Sequence, residues 1–189
     1  MIDDLDRVIR RLLEDDAAAK ETHVAVSFDA PKRDWSARLG RPTINCFLLD
    51  VRENPYLRNQ QWQTVAGEAE HLQPGRSVAL RKRSPLRVDC TYLISAWATT
   101  PADEHLLLSY AFLALARYPV LPEERLVGSL RQSPCEVRTR LAGHEVLPNL
   151  NEVWNALGSE VRPCLSYVVT LALDPWTTVV DPLVRQLSV

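Results

Sequence analysis

The longest regular pattern of apolar and polar positions covers residues 86–118. In its first part, 86–97 (LRVDCTYLISAW), every second residue faces the same side, which predicts a strand with one buried face. Thr100 is then placed as the N-cap of a helix, with Pro101 as its first residue and Asp103 as the acidic partner of the cap. That helix is apolar nearly all round, so we expect both of its sides to be covered.

Weaker patterns supply the remaining elements. Strand-like runs begin at Val24, Ile44, Val78, Val137 and Cys164. Helical spacing is found from Ile2, in a short stretch that starts at Pro122, and around Trp154, where Gly158 ends the helix. The pattern therefore predicts an α+β fold, in which one mixed or mainly antiparallel sheet is packed by helices from Ile2, Pro101 and Asn151.

Two segments lack a regular pattern. Residues 54–75 are rich in Gln, Asn and Glu, which predicts a long, partly mobile loop of the kind that is functional or disordered. Residues 175–189 are apolar but contain Pro175 and Pro182, which exclude a continuous helix or a central strand. We expect 1–189 to be a single domain with this loop and a C-terminal arm.

Composition narrows the class of protein. A chain of 189 residues, 46% hydrophobic and 24% charged, suits one domain that buries roughly 70% of its unfolded surface. The net charge of −2 gives no general attraction to nucleic acid or to an anionic membrane. No apolar run approaches the ~20 residues of a membrane span. Four widely spaced cysteines and the lack of a hydrophobic leader predict reduced thiols and a cytoplasmic location.

Catalytic and metal-binding patterns are absent from the sequence. No C-x-x-C or H-x-x-x-H spacing is present, and no glycine-rich phosphate loop. The Gly-Ser pairs at 128–129 and 158–159 lie where helix ends are expected, so caps and turns explain them better than nucleophiles do. His105 follows two acids in a first helical turn, where a surface histidine is a simpler interpretation than a general base. We therefore predict no catalytic, metal or cofactor-binding residues and no cofactor.

Two polar surfaces are candidates for contacts with other proteins. Trp35 lies between Arg33 and Arg38 in a predicted loop, a composition typical of interfaces, although a tryptophan that simply covers the core explains it equally well. The other surface is the one dense basic patch of the sequence, formed by Arg81, Lys82, Arg83 and Arg87. It suits an acidic partner, whereas a solvated strand edge guarded by charge is the simpler alternative.

The C-terminal arm is the third candidate. Its large apolar residues are Val179, Val180, Leu183, Val184 and Leu187. Burial stabilises by roughly 1.5 to 3 kcal/mol for each large apolar side chain, which is enough to order a short arm. The arm is expected to join a neighbouring protomer or to accept another protein, with docking on its own domain as a nearly equal alternative.

A family resemblance gives these surfaces a context. Four blocks occur in order along nearly the whole chain: MIDDLDRVIRRLL, HVAVSFDAPKRDWSARLGRPTINCFLLDVREN, LRVDCTYLISAWATTPADEHLLLSYAFLALARYPVLP and LNEVWNALGSEVRPCLSYVVTLALDP. Together they resemble the N-terminal domain of the cap, or tail-terminator, proteins of extracellular contractile injection systems, which are phage-tail-like particles. The segment 54–75 departs from the family in being shorter and less basic.

The resemblance implies a structural protein with no catalytic residues to carry over. Such terminators form a ring, usually a hexamer, on the distal end of the inner tube and sheath, where they stop growth and lock the sheath extended. It implies the protein itself, the tube and the sheath as partners, in a particle that is either kept in the cell or released. A small hydrolase or transferase, and a monomeric adaptor that binds a peptide at a sheet edge, are the alternatives.

Overall fold

The structure, a computed structural model, describes residues 1–15, 24–59, 61–64, 78–143 and 149–182. Its helices are α1 (Ile2–Glu14), α2 (Arg33–Ser36), α3 (Pro101–Ala116) and α4 (Leu150–Ala156). Its strands are β1 (Ala25–Ser27), β2 (Thr43–Glu53), β3 (Trp62–Thr64), β4 (Val78–Arg83), β5 (Leu86–Trp97), β6 (Arg138–Leu141), β7 (Cys164–Leu173) and β8 (Val179–Pro182). The α+β class is confirmed.

The larger sheet has five strands in the order β1-β2-β5-β7-β6. β1 and β2 run parallel and the other neighbours antiparallel, so the sheet is mixed and mainly antiparallel, as predicted. β5 lies at its centre, where Tyr92 is opposite Leu48 on one side and Tyr167 on the other. The predicted alternation of β5 corresponds to the two faces of the main sheet. The prediction of one buried face is wrong, because Leu93 and Trp97 on the second face are buried as well.

Helices α1 and α3 cover one face of this sheet. The N-cap of α3 is formed as predicted, since the Thr100 hydroxyl accepts a hydrogen bond from the Asp103 backbone N–H at 3.2 Å. The expectation that both sides of this helix are covered is wrong. Leu106, Phe112 and Leu113 are 46%, 39% and 57% exposed, because only the opposite side of the helix, with Leu107 and Ala111, packs on the core.

A second sheet corrects the prediction of a single one. The run at Val78 forms β4, which pairs with β3 and β8 in a three-stranded antiparallel sheet. The segment predicted as a loop at 54–75 therefore contains β3 and a short 3₁₀ helix, Pro55–Leu57, while its residues 60 and 65–75 lie outside the described part. A strand of three residues is too short to show a period of two in the sequence.

The connection between α3 and β6 contains two 3₁₀ turns, Glu123–Arg125 and Gly128–Gln132, instead of the predicted helix from Pro122. The second turn is fixed by Asp4 of α1, whose carboxylate accepts from the Ser129 hydroxyl at 2.7 Å and from its backbone N–H at 3.0 Å. These two bonds, the hydroxyl first, lower the pKa of Asp4 to about 2. Ser129 is thus engaged in a structural contact.

Candidate assembly surfaces

The predicted surface around Trp35 lies at the end of β5 that carries Trp97. Trp35 is half-buried, with its ring centroid 5.4 Å from that of Trp97, and its indole N–H donates to the Asp29 carboxylate at 3.1 Å. Trp97 in turn contacts the fully buried Trp154 of α4 at 6.3 Å. Trp35 therefore covers a second apolar cluster, on the sheet face opposite α1 and α3. Its two neighbouring arginines at 33 and 38 are exposed, and their role in an interface stays a prediction.

An arginine that the sequence did not single out closes this cluster. The guanidinium of Arg162 lies 4.2 Å from the ring centroid of Trp97 and donates a hydrogen bond to the Glu104 carboxylate at the start of α3. Both side chains are largely buried, at 27% and 16% exposure. The contact joins residues 58 positions apart in sequence, so no local pattern indicates it.

Three residues of the predicted basic patch lie in β4 and the fourth, Arg87, lies at the start of β5, opposite the Trp97 end. Lys82 donates to the Asp174 carboxylate at 2.6 Å. The guanidinium of Arg83 lies between two indole rings, 5.3 Å from the centroid of Trp62 and 5.2 Å from that of Trp176. The patch is therefore built into the small sheet, and its part in contacts with a partner stays a prediction.

The structure brings this patch together with the start of the C-terminal arm. β8 pairs with β4, and Arg81 lies opposite Val179. Val179 and Val180 are 44% and 50% exposed, because β8 is an edge strand of the small sheet. Leu183, Val184 and Leu187 lie outside the described residues. The first part of the arm thus docks on its own domain, and the second edge of β8 has no strand partner among the described residues.

The β6 edge of the larger sheet is covered. The backbone of 119–121 runs along it, with Leu121 donating to the Val137 carbonyl and Thr139 donating to the Pro119 carbonyl, both at 2.9 Å. A peptide that added a strand at this edge would have to displace these bonds. The β8 edge has no such cover within the part of the chain that the structure describes.

A polar network around the largely buried Asp89 lies between the two ends on the second face of the sheet. Asp89 of β5 accepts hydrogen bonds from Asn54 at 3.0 Å, Arg140 at 3.0 Å and Thr170 at 2.6 Å. These bonds tie β5 to β7, β6 and the end of β2. Its four residues are far apart in sequence, and the Asp89 carboxylate that joins them accepts from three donors, which is a structural arrangement.

Groups with catalytic or metal-binding chemistry are dispersed. Within the described ranges, no three His, Cys, Asp or Glu residues are close enough to hold a metal ion. His105 is exposed on α3. Burial raises the pKa of the Cys90 thiol to about 11 and raises that of Cys46 further, so neither is a ready thiolate. No helix in the described part of the chain is long and apolar enough to cross a membrane.

The two sheets, with helices packed on the larger one, define an α+β domain. Over its whole length the chain matches the cryo-EM structure of the PVC sheath/tube terminator of an extracellular contractile injection system, in the extended state, with 21% identity and a TM-score of 0.65. It also matches the anti-feeding prophage cap, described as the AFP tube terminating cap, with 21% identity and a TM-score of 0.66. The match covers 62% and 60% of those two chains.

The sequence profile of the Pvc16 N-terminal domain matches residues 4–186. The chain therefore belongs to the Pvc16 N-terminal domain family, which confirms the resemblance to the cap proteins of contractile injection systems. No curated protein sequence matches the chain at a significant level.

Proposed function

We propose that this chain is the terminator domain of a contractile injection system, which forms a ring, ends growth of the inner tube and sheath, and stabilises the extended sheath. The observation that carries the proposal is the family match over residues 4–186. Two structures of the same fold, a sheath/tube terminator and a tube terminating cap, support it. The role is structural, and assembly takes place in the cytoplasm with tube and sheath proteins as partners.

A ring, usually a hexamer in such caps, requires each protomer to offer two different surfaces to its neighbours. The exposed side of α3 supplies an apolar one, formed by Leu106, Phe112 and Leu113. Exposed apolar patches of this kind mark contact sites in soluble proteins. The outward edge of β8, with Val179 and Val180, supplies a second one. The proposed contact joins the α3 side of one protomer to the β8 edge of the next.

Light scattering of the purified chain tests the α3 contact. Leu113→Asp places a charge in the proposed contact and should convert a ring into a folded monomer, because an unpaired charge would be buried there. Val161→Asp is the matched control, since Val161 is 59% exposed in the segment before β7 and belongs to neither of the two proposed contact surfaces. It should leave the ring intact. A ring that persists in Leu113→Asp, or equal loss in the control, contradicts this contact.

Truncation after residue 178 tests the arm. It removes β8 and all that follows, but keeps Trp176 and the Lys82–Asp174 ion pair. A folded monomer in place of the ring is expected, because the edge that meets the neighbour is gone. An intact ring would contradict the role of the arm. So would an unfolded chain, which would show that β8 serves only its own domain.

A further inference from the structure

A cavity of about 250 Å³ opens where the small sheet meets the larger one. The residues that give it its chemistry are Glu53, Arg58, Trp62, Arg83, Arg87 and Trp176. They come from β2, β3, β4, β5 and the segments beside them, so the cavity exists only because the two sheets are held together. A volume of this size accommodates one side chain.

The walls of the cavity are fixed by hydrogen bonds. The Trp176 indole N–H donates to the Ser84 carbonyl at 3.0 Å. Ser84 also donates from its hydroxyl to the Gln61 carbonyl at 3.4 Å, next to Trp62. Two residues before Trp176, Asp174 is held by its ion pair with Lys82 at 2.6 Å. The two indoles are therefore attached to the β4–β5 corner from opposite sides and form a preorganised site.

The charge of the lining is positive in a chain whose net charge is −2. Three arginines face one glutamate, and only Arg58 is paired with that glutamate, at 3.2 Å between its Nε and the Glu53 carboxylate. Arg83 lies between the indoles, and no described carboxylate pairs with it. An anion would therefore be attracted to this cavity in spite of the overall charge.

Arg87 has an unused donor. Its Nε is buried and has no hydrogen-bond partner among the described residues, while its terminal nitrogen makes one long bond of 3.5 Å to the Glu136 carbonyl. A buried donor without an acceptor is unfavourable, so native structures seldom leave one unsatisfied. The buried Nε itself is closed to a ligand, but Arg83 and Arg87 both line the cavity, and charge-assisted bonds to a carboxylate are the strongest that their guanidinium groups form.

We propose that this cavity binds an acidic side chain, Glu or Asp, presented by an extended segment of a partner protein. The carboxylate lies on the guanidinium groups of Arg83 and Arg87, and the aliphatic part of the segment packs on Trp62 and Trp176. A nucleic acid strand fits less well, because it needs a continuous track of cations, whereas Glu53 and Asp174 interrupt this one. The cavity's chemistry does not depend on ring formation, so each proposal stands or falls separately.

The test is an NMR titration of the full chain with acetyl-glutamate methylamide as the probe. The indole N–H signals of Trp62 and Trp176 and the Nε signal of Arg87 are expected to shift and saturate. The uncharged acetyl-glutamine methylamide should produce no saturable shift. Equal shifts with both probes, or none with the glutamate probe, would overturn the proposal.

Single-residue variants test whether the glutamate probe binds in this cavity. Arg83→Gln should weaken binding of the glutamate probe by about tenfold or more. Arg11→Gln, an exposed arginine of α1 outside the cavity, should bind as the wild type does. If Arg83→Gln fails to fold, Trp62→Leu serves instead, because Trp62 is 47% exposed and its loss leaves the core intact. An oligothymidylate strand that bound more tightly than the glutamate probe would contradict an acidic side chain as the ligand. Tighter binding of acetyl-glycyl-glycine, which carries a C-terminal carboxylate, would contradict it as well.

Discussion

Two tryptophan–arginine clusters lie at opposite ends of β5, and they use the same residue types in different ways. At one end, Arg162 covers Trp97 and is neutralised by Glu104, over a fully buried Trp154. At the other, Arg83 lies between two indoles that are partly in solvent, beside an open cavity. Twelve residues of extended strand, roughly 40 Å, separate them.

The difference lies in whether the arginine has an acid of its own. The charge of Arg162 is paired with Glu104 within the fold and contributes to stability, although the buried Nε of Arg162 has no partner among the described residues. Arg83 has indole contacts but no described carboxylate partner, so its hydrogen-bonding capacity is left for a ligand. Aromatic and arginine residues alone therefore do not identify an interface, whereas their unpaired charge and exposure do.

The largest expected effect comes from replacing one buried and one exposed tryptophan. Trp154→Ala should lower the free energy of unfolding by about 3 to 5 kcal/mol, because it empties the centre of the closed cluster. Trp62→Ala should cost less than about 1 kcal/mol, since its ring is half in solvent. Urea denaturation of the two variants gives both values. Similar losses would show that the two ends are equally part of the core.

Replacing the two arginines tests the role of the acid. Arg162→Gln should lower the free energy of unfolding by about 2 kcal/mol, because Glu104 loses its partner in a largely buried position. Arg83→Gln should change it by less than about 0.5 kcal/mol, as is usual for a surface substitution. Thermal melts of both variants against the wild type provide the measurement. A larger loss in Arg83→Gln than in Arg162→Gln would reverse the comparison.

A further expected effect concerns low pH, and it arises from a contact of α1 that belongs to neither cluster. The pKa of Asp4 is lowered from 3.8 to about 2, so its contribution is complete above pH 4 and is lost as the pH falls towards 2. In Asp4→Asn, the urea midpoint should fall less between pH 4 and pH 2 than it does in the wild type. Asp34→Asn, an exposed control in α2, should retain the decline. If the urea midpoint of Asp4→Asn declines as much as that of the wild type, Asp4 does not cause the loss of stability at low pH.

Replacement of Gly128 is a second test of the contact between Asp4 and Ser129. Gly128 has φ +55°, and a Cβ added there would lie 2.0 Å from the Asp4 carboxylate. Gly128→Ala should therefore disrupt the contact with Ser129. Gly158→Ala has a similar φ of +65° but open space around it, so it isolates the cost of the left-handed backbone alone, about 1 to 2 kcal/mol.

The sequence predicted the parts of this fold that local patterns encode. The alternation in β5 and the Thr100-Pro101 start of α3 correspond to a long strand and a capped helix, since both depend on neighbours in sequence. The uncovered side of α3 was not predictable, because a helix that is apolar all round does not show which side meets the core. The small sheet was missed because β3 has three residues and β8 pairs with a strand about a hundred positions away.

For the candidate surfaces too, the sequence predicted local groups of residues but not their tertiary contacts. The sequence singled out Arg81 to Arg83 and the valines of the arm as separate groups, and the pairing of β4 with β8 places them side by side. The tryptophans that flank Arg83 were not recognised, because each lies alone in a polar or proline-containing segment. The ion pair of Arg162 with Glu104 was missed as well, since it depends on tertiary packing.

The central claim is that the chain terminates the tube and sheath of a contractile particle. The most direct measurement is the length distribution, by electron microscopy, of particles assembled in cells with and without this chain. We expect uniform, extended particles when the chain is present. In its absence we expect tubes and sheaths of irregular length or premature contraction, and supplying the chain again should restore uniform particles. Particles of unchanged length and extension in its absence would contradict the claim.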